Sequence, residues 1–389
     1  AGDYTHGMDI QTSAPYTSAV DPRRKYATWV EIDLAAIEGN ARALVARTDA
    51  RLMAVVKANG YGHGAVETAR AAARGGAAWF GVARAEEALE LRESGIEDPI
   101  LILGPVPSAY LEQLVAHEIS FTVCDEDQIA ASGRVGKAQG VPAKAHLKID
   151  TGMSRLGADP NQAVSLARKL RTGEAISFEG IFTHFARADE PDSPANREQL
   201  DRFEQVLSQL DAEDLRPPIV HAANSAATLK MRQAHFDMVR VGIALYGLQP
   251  SKTWSLPEEF QPALQWKSQL SRVRVLPSGT GVSYGHDYVT ADEEQIGTFP
   301  VGYADGLRRV EGNRVLVSGQ QVPVVGRVCM DLSMLQLDAI ATARAGDEVV
   351  IIGNQAGSVI SAEQVADRWG TINYEVTCGI GHRVPRLVG

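Results

Sequence analysis

An eight-stranded parallel α/β barrel followed by a β-rich domain is the fold class this sequence predicts, and three observations lead to it. Short β-like runs alternate with helical segments over the first two-thirds of the chain. That alternation stops near Tyr246. Beyond it, β-like runs are separated by turn residues instead of helices. The 389 residues suit two domains: a polar extension at 1–28, a barrel at 29–258 and a β domain at 259–389.

The barrel strands are expected at Leu52–Val56, Trp79–Val82, Ile100–Leu103, Phe121–Cys124, Ala145–Asp150, Phe178–Thr183, Ile219–His221 and Asp237–Arg240. Helices are expected between them at Arg84–Ser94, Asn161–Leu170 and Arg197–Leu210. In the last two, apolar residues recur three and four apart (Ala163, Leu166, Ala167, Leu170; Phe203, Val206, Leu207, Leu210). Eight such repeats fit a (β/α)8 barrel, with a doubly wound open sheet as the alternative. In the second domain, Gln265–Val275 reads as one partly alternating strand. Gln295–Val301, Arg314–Val317, Val322–Val325, Leu332–Leu337 and Glu348–Ile352 follow, and only Ala362–Arg368 reads as helical.

Composition excludes several classes. With 44% hydrophobic and 22% charged residues the chain is a folded globular protein, not a disordered one. A net charge of −10 argues against a nucleic-acid or anionic-membrane partner. No apolar run approaches the ~18 residues of a membrane span. The extension lacks the apolar stretch of a signal peptide, which points to a cytoplasmic protein. Cys124, Cys329 and Cys378 are odd in number and far apart, and neither C-x-x-C nor H-E-x-x-H occurs, so no metal site is expected.

Barrel enzymes work at the C-terminal ends of their strands, with phosphate often bound beyond the seventh and eighth. Here the first strand runs into Lys57 and the glycine-rich Asn59–Gly64. The fifth carries Lys148 and ends at Asp150, with Arg155 beyond, and the sixth ends at His184. The seventh leads into His221, Asn224 and Ser225, and the eighth ends at Arg240 before Gly242. Singly these have plainer readings: a solvated lysine, helix caps, core histidines, a paired arginine. Their convergence on one rim is the signal. Lys57 follows the apolar Met53–Val56, and a desolvated lysine has a lowered pKa and can form a Schiff base. Ser225 and the amides near Gly242 and Ile243 suit a phosphate. A lysine facing a phosphate site suggests pyridoxal 5′-phosphate, although Schiff-base aldolases and phosphosugar enzymes use the same parts.

Nine strings carry a family resemblance: V-K-A-N-G-Y-G-H-G (56–64), L-K-I-D-T-G-M-S-R-L-G (147–157), T-H-F-A (183–186), H-A-A-N-S-A-A (221–227), V-R-V-G-I-A-L-Y-G (239–247), V-S-Y-G (282–285), V-G-Y-A-D-G (301–306), V-G-R-V-C-M-D (325–331) and Y-E-V-T-C (374–378). In this order, over residues 29 to 389, they resemble the alanine racemases. The resemblance implies a fold-type III pyridoxal-phosphate enzyme that interconverts L- and D-alanine with two bases and supplies D-alanine for cell-wall peptidoglycan. It also implies a head-to-tail homodimer whose active sites are shared between chains. Carried over to this sequence, Lys57 is the cofactor lysine and one base, and Tyr284 is the other. Arg240 faces the pyridine nitrogen, and Tyr61, Ser225, Gly242, Ile243 and Tyr374 hold the phosphate. Arg155 and Met330 meet the substrate carboxylate, and Lys148 matches a lysine that is often carbamylated. His184 orients Tyr284. Related possibilities are another racemase of this fold, for serine or a longer side chain, a fold-related decarboxylase, and a non-catalytic cofactor-binding barrel. The bulk of Tyr303 and Tyr374 favours a methyl side chain, and the second domain with Tyr284 argues against the carrier.

Overall fold

The computed structural model describes Asp21 and residues 25–389. Of the polar extension expected at 1–28, residues 1–20 and 22–24 lie outside the described residues. Strand β1 (Thr28–Ile32) is followed by the barrel strands β2 (Arg51–Val55), β3 (Trp79–Val82), β4 (Ile100–Ile102), β5 (Ser120–Val123), β6 (Ala143–Lys148), β7 (Ile176–Phe182), β8 (Ile219–His221) and β9 (Met238–Val241). All eight expected barrel strands are present within a residue or two of their predicted bounds. They are parallel, in the order β8-β7-β6-β5-β4-β3-β2-β9. The ring is nearly closed: Asp237 N–H donates to Val220 O (3.0 Å) and Arg240 N–H to Ala223 O (2.9 Å). That closure excludes the open doubly wound sheet. The strands are buried along most of their length, because helices cover the outside and side chains fill the inside. One interior layer, formed by Met53, Trp79, Leu101, Ile219 and Met238, is a separate apolar cluster.

The second domain comprises β10 (Leu264–Gln269), β11 (Arg272–Leu276), β12 (Gly281–Val282), β13 (Tyr288–Val289), β14 (Glu294–Phe299), β15 (Arg314–Val317), β16 (Gln320–Val325), β17 (Ser333–Gln336), β18 (Glu348–Gln355), β19 (Ser358–Ile360) and β20 (Arg386–Val388). Three expectations need correction. Residues 29–32, assigned to the barrel, belong to this sheet: β1 pairs antiparallel with β10 and parallel with β20. The single strand expected at 265–275 is two strands with different partners, β10 pairing with β18 and β11 with β14. Asn373–Cys378 forms a second helix after Ala362–Trp369, and it docks the β domain onto the barrel mouth.

Candidate active site

Lys57 opens the turn that leaves β2. Ala58, Asn59, Gly60 and Tyr61 have φ of 52°, 52°, 60° and 54°, so four consecutive residues are left-handed. For each residue with a Cβ this costs roughly 1–2 kcal/mol. Side-chain hydrogen bonds hold the turn. Glu87 accepts from Ala58 N–H (2.7 Å) with one oxygen and from Ala83 N–H (2.7 Å) and Arg84 N–H (3.1 Å) with the other. The fully buried His63 ring places Nδ1 3.1 Å from both Gly60 O and Tyr61 O, so that nitrogen carries the proton. Burial pushes its pKa down to about 4, and His63 is therefore a neutral brace.

Lys57 is half-buried. Burial, then the Arg155 charge, lowers its pKa, while Glu87 and Cys378 pull the other way. Lys148, at the end of β6, is pushed down to about 8 by burial, Arg240 and Arg155, and it lies over the Phe182 ring. Arg240, on β9, is 3% exposed. Its Nη2 donates to Thr183 O (2.8 Å) and Ala222 O (2.9 Å) and lies 3.2 Å from His184 Nδ1. Burial lowers its pKa to about 9, which still leaves it charged at neutral pH. His184 is held well below the usual histidine range by burial and by Arg240, Arg155 and Lys148. The structure therefore gathers Lys57, Lys148, Arg155, His184 and Arg240 at one barrel mouth. It is a strongly cationic site, suited to an anionic ligand.

Beside it stands an anion cradle. The Tyr61 and Tyr374 rings are 6.0 Å apart, and burial raises both phenols far above their usual pKa, so they are donors. Neither hydroxyl makes a hydrogen bond within the described residues. Gly242 completes the cradle by lacking a side chain: a Cβ there would stand 2.3 Å from Tyr61 Oη. Ser225 Oγ accepts from Gly242 N–H at 3.0 Å, which keeps its own proton free to be donated. Ile243 N–H likewise has no partner among the described residues. These groups fit a phosphate, and with the lowered amine of Lys57 they fit pyridoxal 5′-phosphate.

Tyr284 and Met330 lie elsewhere in the chain. Tyr284 is 71% exposed on the β domain, where it lines a depression of about 480 Å³ with Tyr303, Arg309, Val328 and Cys329. Ser283, at φ 68°, anchors the turn before it by donating to Arg327 O (2.6 Å). Met330 is 53% exposed, and its carbonyl accepts from Ala304 N–H (3.1 Å). Within one chain Tyr284 makes no hydrogen bond to Lys57 or His184. The sequence reading missed Glu87, His63, His146 and Glu179. His146 stands two residues before Lys148 on the same strand, a spacing that puts both on one face.

The chain matches the family models for the alanine racemase N-terminal domain over residues 32–250 and the C-terminal domain over 263–388. An alanine racemase of Symbiobacterium thermophilum is 47% identical over 365 residues, covering 93% of this chain and 97% of that protein. The chain belongs to the alanine racemase family. Solved alanine racemase structures agree with that placement. The one from the D-cycloserine producer Streptomyces lavendulae has a TM-score of 0.89 at 40% identity, covering 93% of this chain and 97% of that one. The one from Bacillus anthracis, with bound L-Ala-P, has a TM-score of 0.89 at 39% identity, covering 93% and 95%. Among the described residues, no helix of this alanine racemase family member is long and apolar enough to cross a membrane.

Proposed function

We propose that this protein racemises alanine with pyridoxal 5′-phosphate bound at the barrel mouth. The observation that carries the reading is the lowered, half-buried amine of Lys57 beside the cradle of Tyr61, Gly242, Ser225, Ile243 and Tyr374. Lys57 would hold the cofactor, the cradle its phosphate, and Arg240 would face its ring nitrogen. When bound, the cofactor supplies the electron sink that acidifies the substrate Cα–H.

This chain's residues do the rest. Lys57 Nζ moves the proton on the D face, and Tyr284 Oη moves it on the L face. Arg155 and the amide of Met330, which has no partner among the described residues, would meet the substrate carboxylate. Arg240 remains charged and surrenders no proton, which favours proton return over side reactions. Tyr284 is exposed on the β domain and makes no hydrogen bond to the barrel mouth among the described residues, which supports a reading in which a head-to-tail homodimer completes the site. There Tyr284 of a second copy would come under the control of His184. Lys148, with its amine lowered to about 8, is the residue to carry a carbamate, whose negative charge would hold Arg155. The reading places the enzyme in the cytoplasm, supplying D-alanine for peptidoglycan.

The test is to incubate the protein with L-alanine, and separately with L-serine, in deuterium oxide containing the cofactor. Loss of optical rotation together with α-deuteration of alanine, without carbon dioxide release, is the expected result. Carbon dioxide release, faster turnover of serine, or no exchange at all would reject it.

A further inference from the structure

Below the mouth, inside the barrel, a row of polar side chains that the steps above do not use leads away from Arg240. Arg240 Nη1 lies 3.0 Å from His221 Nδ1, His221 Nε2 lies 2.9 Å from His146 Nδ1, and His146 Nε2 lies 3.1 Å from Glu179 Oε2. A guanidinium only donates. His221 Nδ1 must accept, so the His221 proton sits on Nε2 and is donated to His146 Nδ1. The His146 proton then sits on Nε2 and is donated to the carboxylate. One arginine thus fixes every proton in the row, and both rings are neutral.

The backbone is adapted to build this row. Between β6 and β7 the register shifts: Ala145 pairs with Phe178 and His146 with Gly180, which leaves Glu179 as the extra residue of a bulge. A bulge of this kind re-aims a side chain, and here the carboxylate reaches His146. Gly180 makes room for the ring, since a Cβ there would stand 2.3 Å from His146 Nδ1. Ser120 donates its hydroxyl to the same carboxylate oxygen. The His221 ring stacks on Phe182 (4.6 Å, 9°), and Trp79 meets His146 edge-on (5.7 Å, 65°). The two imidazoles are fully buried, while the Glu179 side chain is 21% exposed. An acid in solvent contact is thus wired to a buried base.

Around Arg240 the other ionisable groups are His184 beyond β7, Lys148 and Arg155 on and beyond β6, and Lys57 beyond β2 with Glu87 beside it. No carboxylate pairs directly with Arg240 among the described residues. We infer that Glu179 is the counter-anion of Arg240, coupled to it through His146 and His221, and that this relay sets the orientation and charge that Arg240 presents to its ligand. Glu179 and His146 are then positioning residues for the reaction. The inference rests on the reading that Arg240 faces the cofactor ring.

Two measurements on the holoenzyme test it. Nitrogen-15 NMR of histidine-labelled wild-type protein should find His146 and His221 neutral with the proton on Nε2 from pH 6 to 9. A proton on Nδ1 of either ring, or a doubly protonated ring, would overturn the relay whatever the cofactor does. Glu179→Gln keeps an oxygen to accept from His146 while removing the charge. The loss of that charge should lower the pH midpoint of the visible band of the lysine-bound cofactor by about half to one unit. An unchanged midpoint in a folded, cofactor-loaded variant would overturn the coupling. If the wild type shows no visible band with added cofactor, the cofactor reading fails, and the tautomers alone decide the relay.

Discussion

The barrel mouth and the exposed face of the β domain hold the side chains of the proposed site in opposite ways. At the mouth, each functional side chain is fixed by its own chain: Lys57 by a braced left-handed turn, Arg240 by two carbonyls and two imidazoles, Tyr61 by contact with Gly242. On the β domain, Tyr284 is 71% and Met330 53% exposed, and among the described residues no side chain hydrogen-bonds to theirs. A group whose surroundings are complete can be tuned by burial and neighbouring charge, as the amines of Lys57 and Lys148 are. In the proposed homodimer, Tyr284 and Met330 would therefore take their surroundings from the copy that covers them.

The largest effect expected from breaking this contrast is at Lys57. Lys57→Ala should abolish the visible cofactor band and reduce alanine racemisation by about 10⁴-fold or more, measured by polarimetry. A variant that retains even a tenth of the activity would dismiss Lys57 as the cofactor lysine. Tyr284→Phe, in contrast, should lose racemisation yet keep the band, because it changes the exposed half only. Mixing the two inactive variants under conditions of subunit exchange should restore up to about a quarter of wild-type activity. In a mixed dimer one site receives both intact residues, and random mixing makes about half the dimers mixed. No recovery despite proven exchange would mean that each chain supplies its own site.

Smaller effects sharpen the tuned half. Gly242→Ala places a methyl 2.3 Å from Tyr61 Oη, so the cradle must widen. Cofactor affinity should fall by roughly 10- to 100-fold in a spectroscopic titration, about 1.4–2.7 kcal/mol, with the fold intact by circular dichroism. The smallest effect concerns Lys148. A carbamate forms on the neutral amine, and an amine with a pKa near 8 is increasingly neutral as the pH rises through that value. Labelled bicarbonate should give a carbamate carbon signal that grows from pH 7 to 9 and disappears in Lys148→Arg, with a several-fold change in the KM for alanine. A signal that persists in that variant would assign the modification elsewhere.

The same contrast explains what could be read in advance. The eight barrel strands were legible because strands covered on both faces appear as continuous apolar runs such as Trp79–Val82 and Ile100–Ile102. Lys57, Arg240, Ser225, Gly242 and Ile243 were expected from their positions at strand ends, whereas Tyr61 and Tyr374 were expected from the family resemblance alone. Strand β1 was assigned to the wrong domain because its partner, β10, lies some 230 residues away, beyond any local pattern. The break at Leu270-Ser271 carries no glycine or proline. The helix Asn373–Cys378 is short and includes the β-branched Val376 and Thr377, so its propensity is poor, and docking on the mouth stabilises it instead. Glu179 was hidden by the bulge, which upsets the two-residue alternation on which face assignments depend, whereas the spacing of His146 from Lys148 was regular.

The pairing of β1 with β10 and β20 also bears on how the chain is made. Trp29, Val30 and Ile32 are almost wholly buried in the finished sheet, yet a ribosome delivers them first and their hydrogen-bonding partners only after the whole barrel. At about 5–20 residues per second, that interval lasts roughly ten to fifty seconds. During it, an apolar strand with both edges unpaired precedes a barrel that is still being made, and such an exposed edge is a template for wrong pairing.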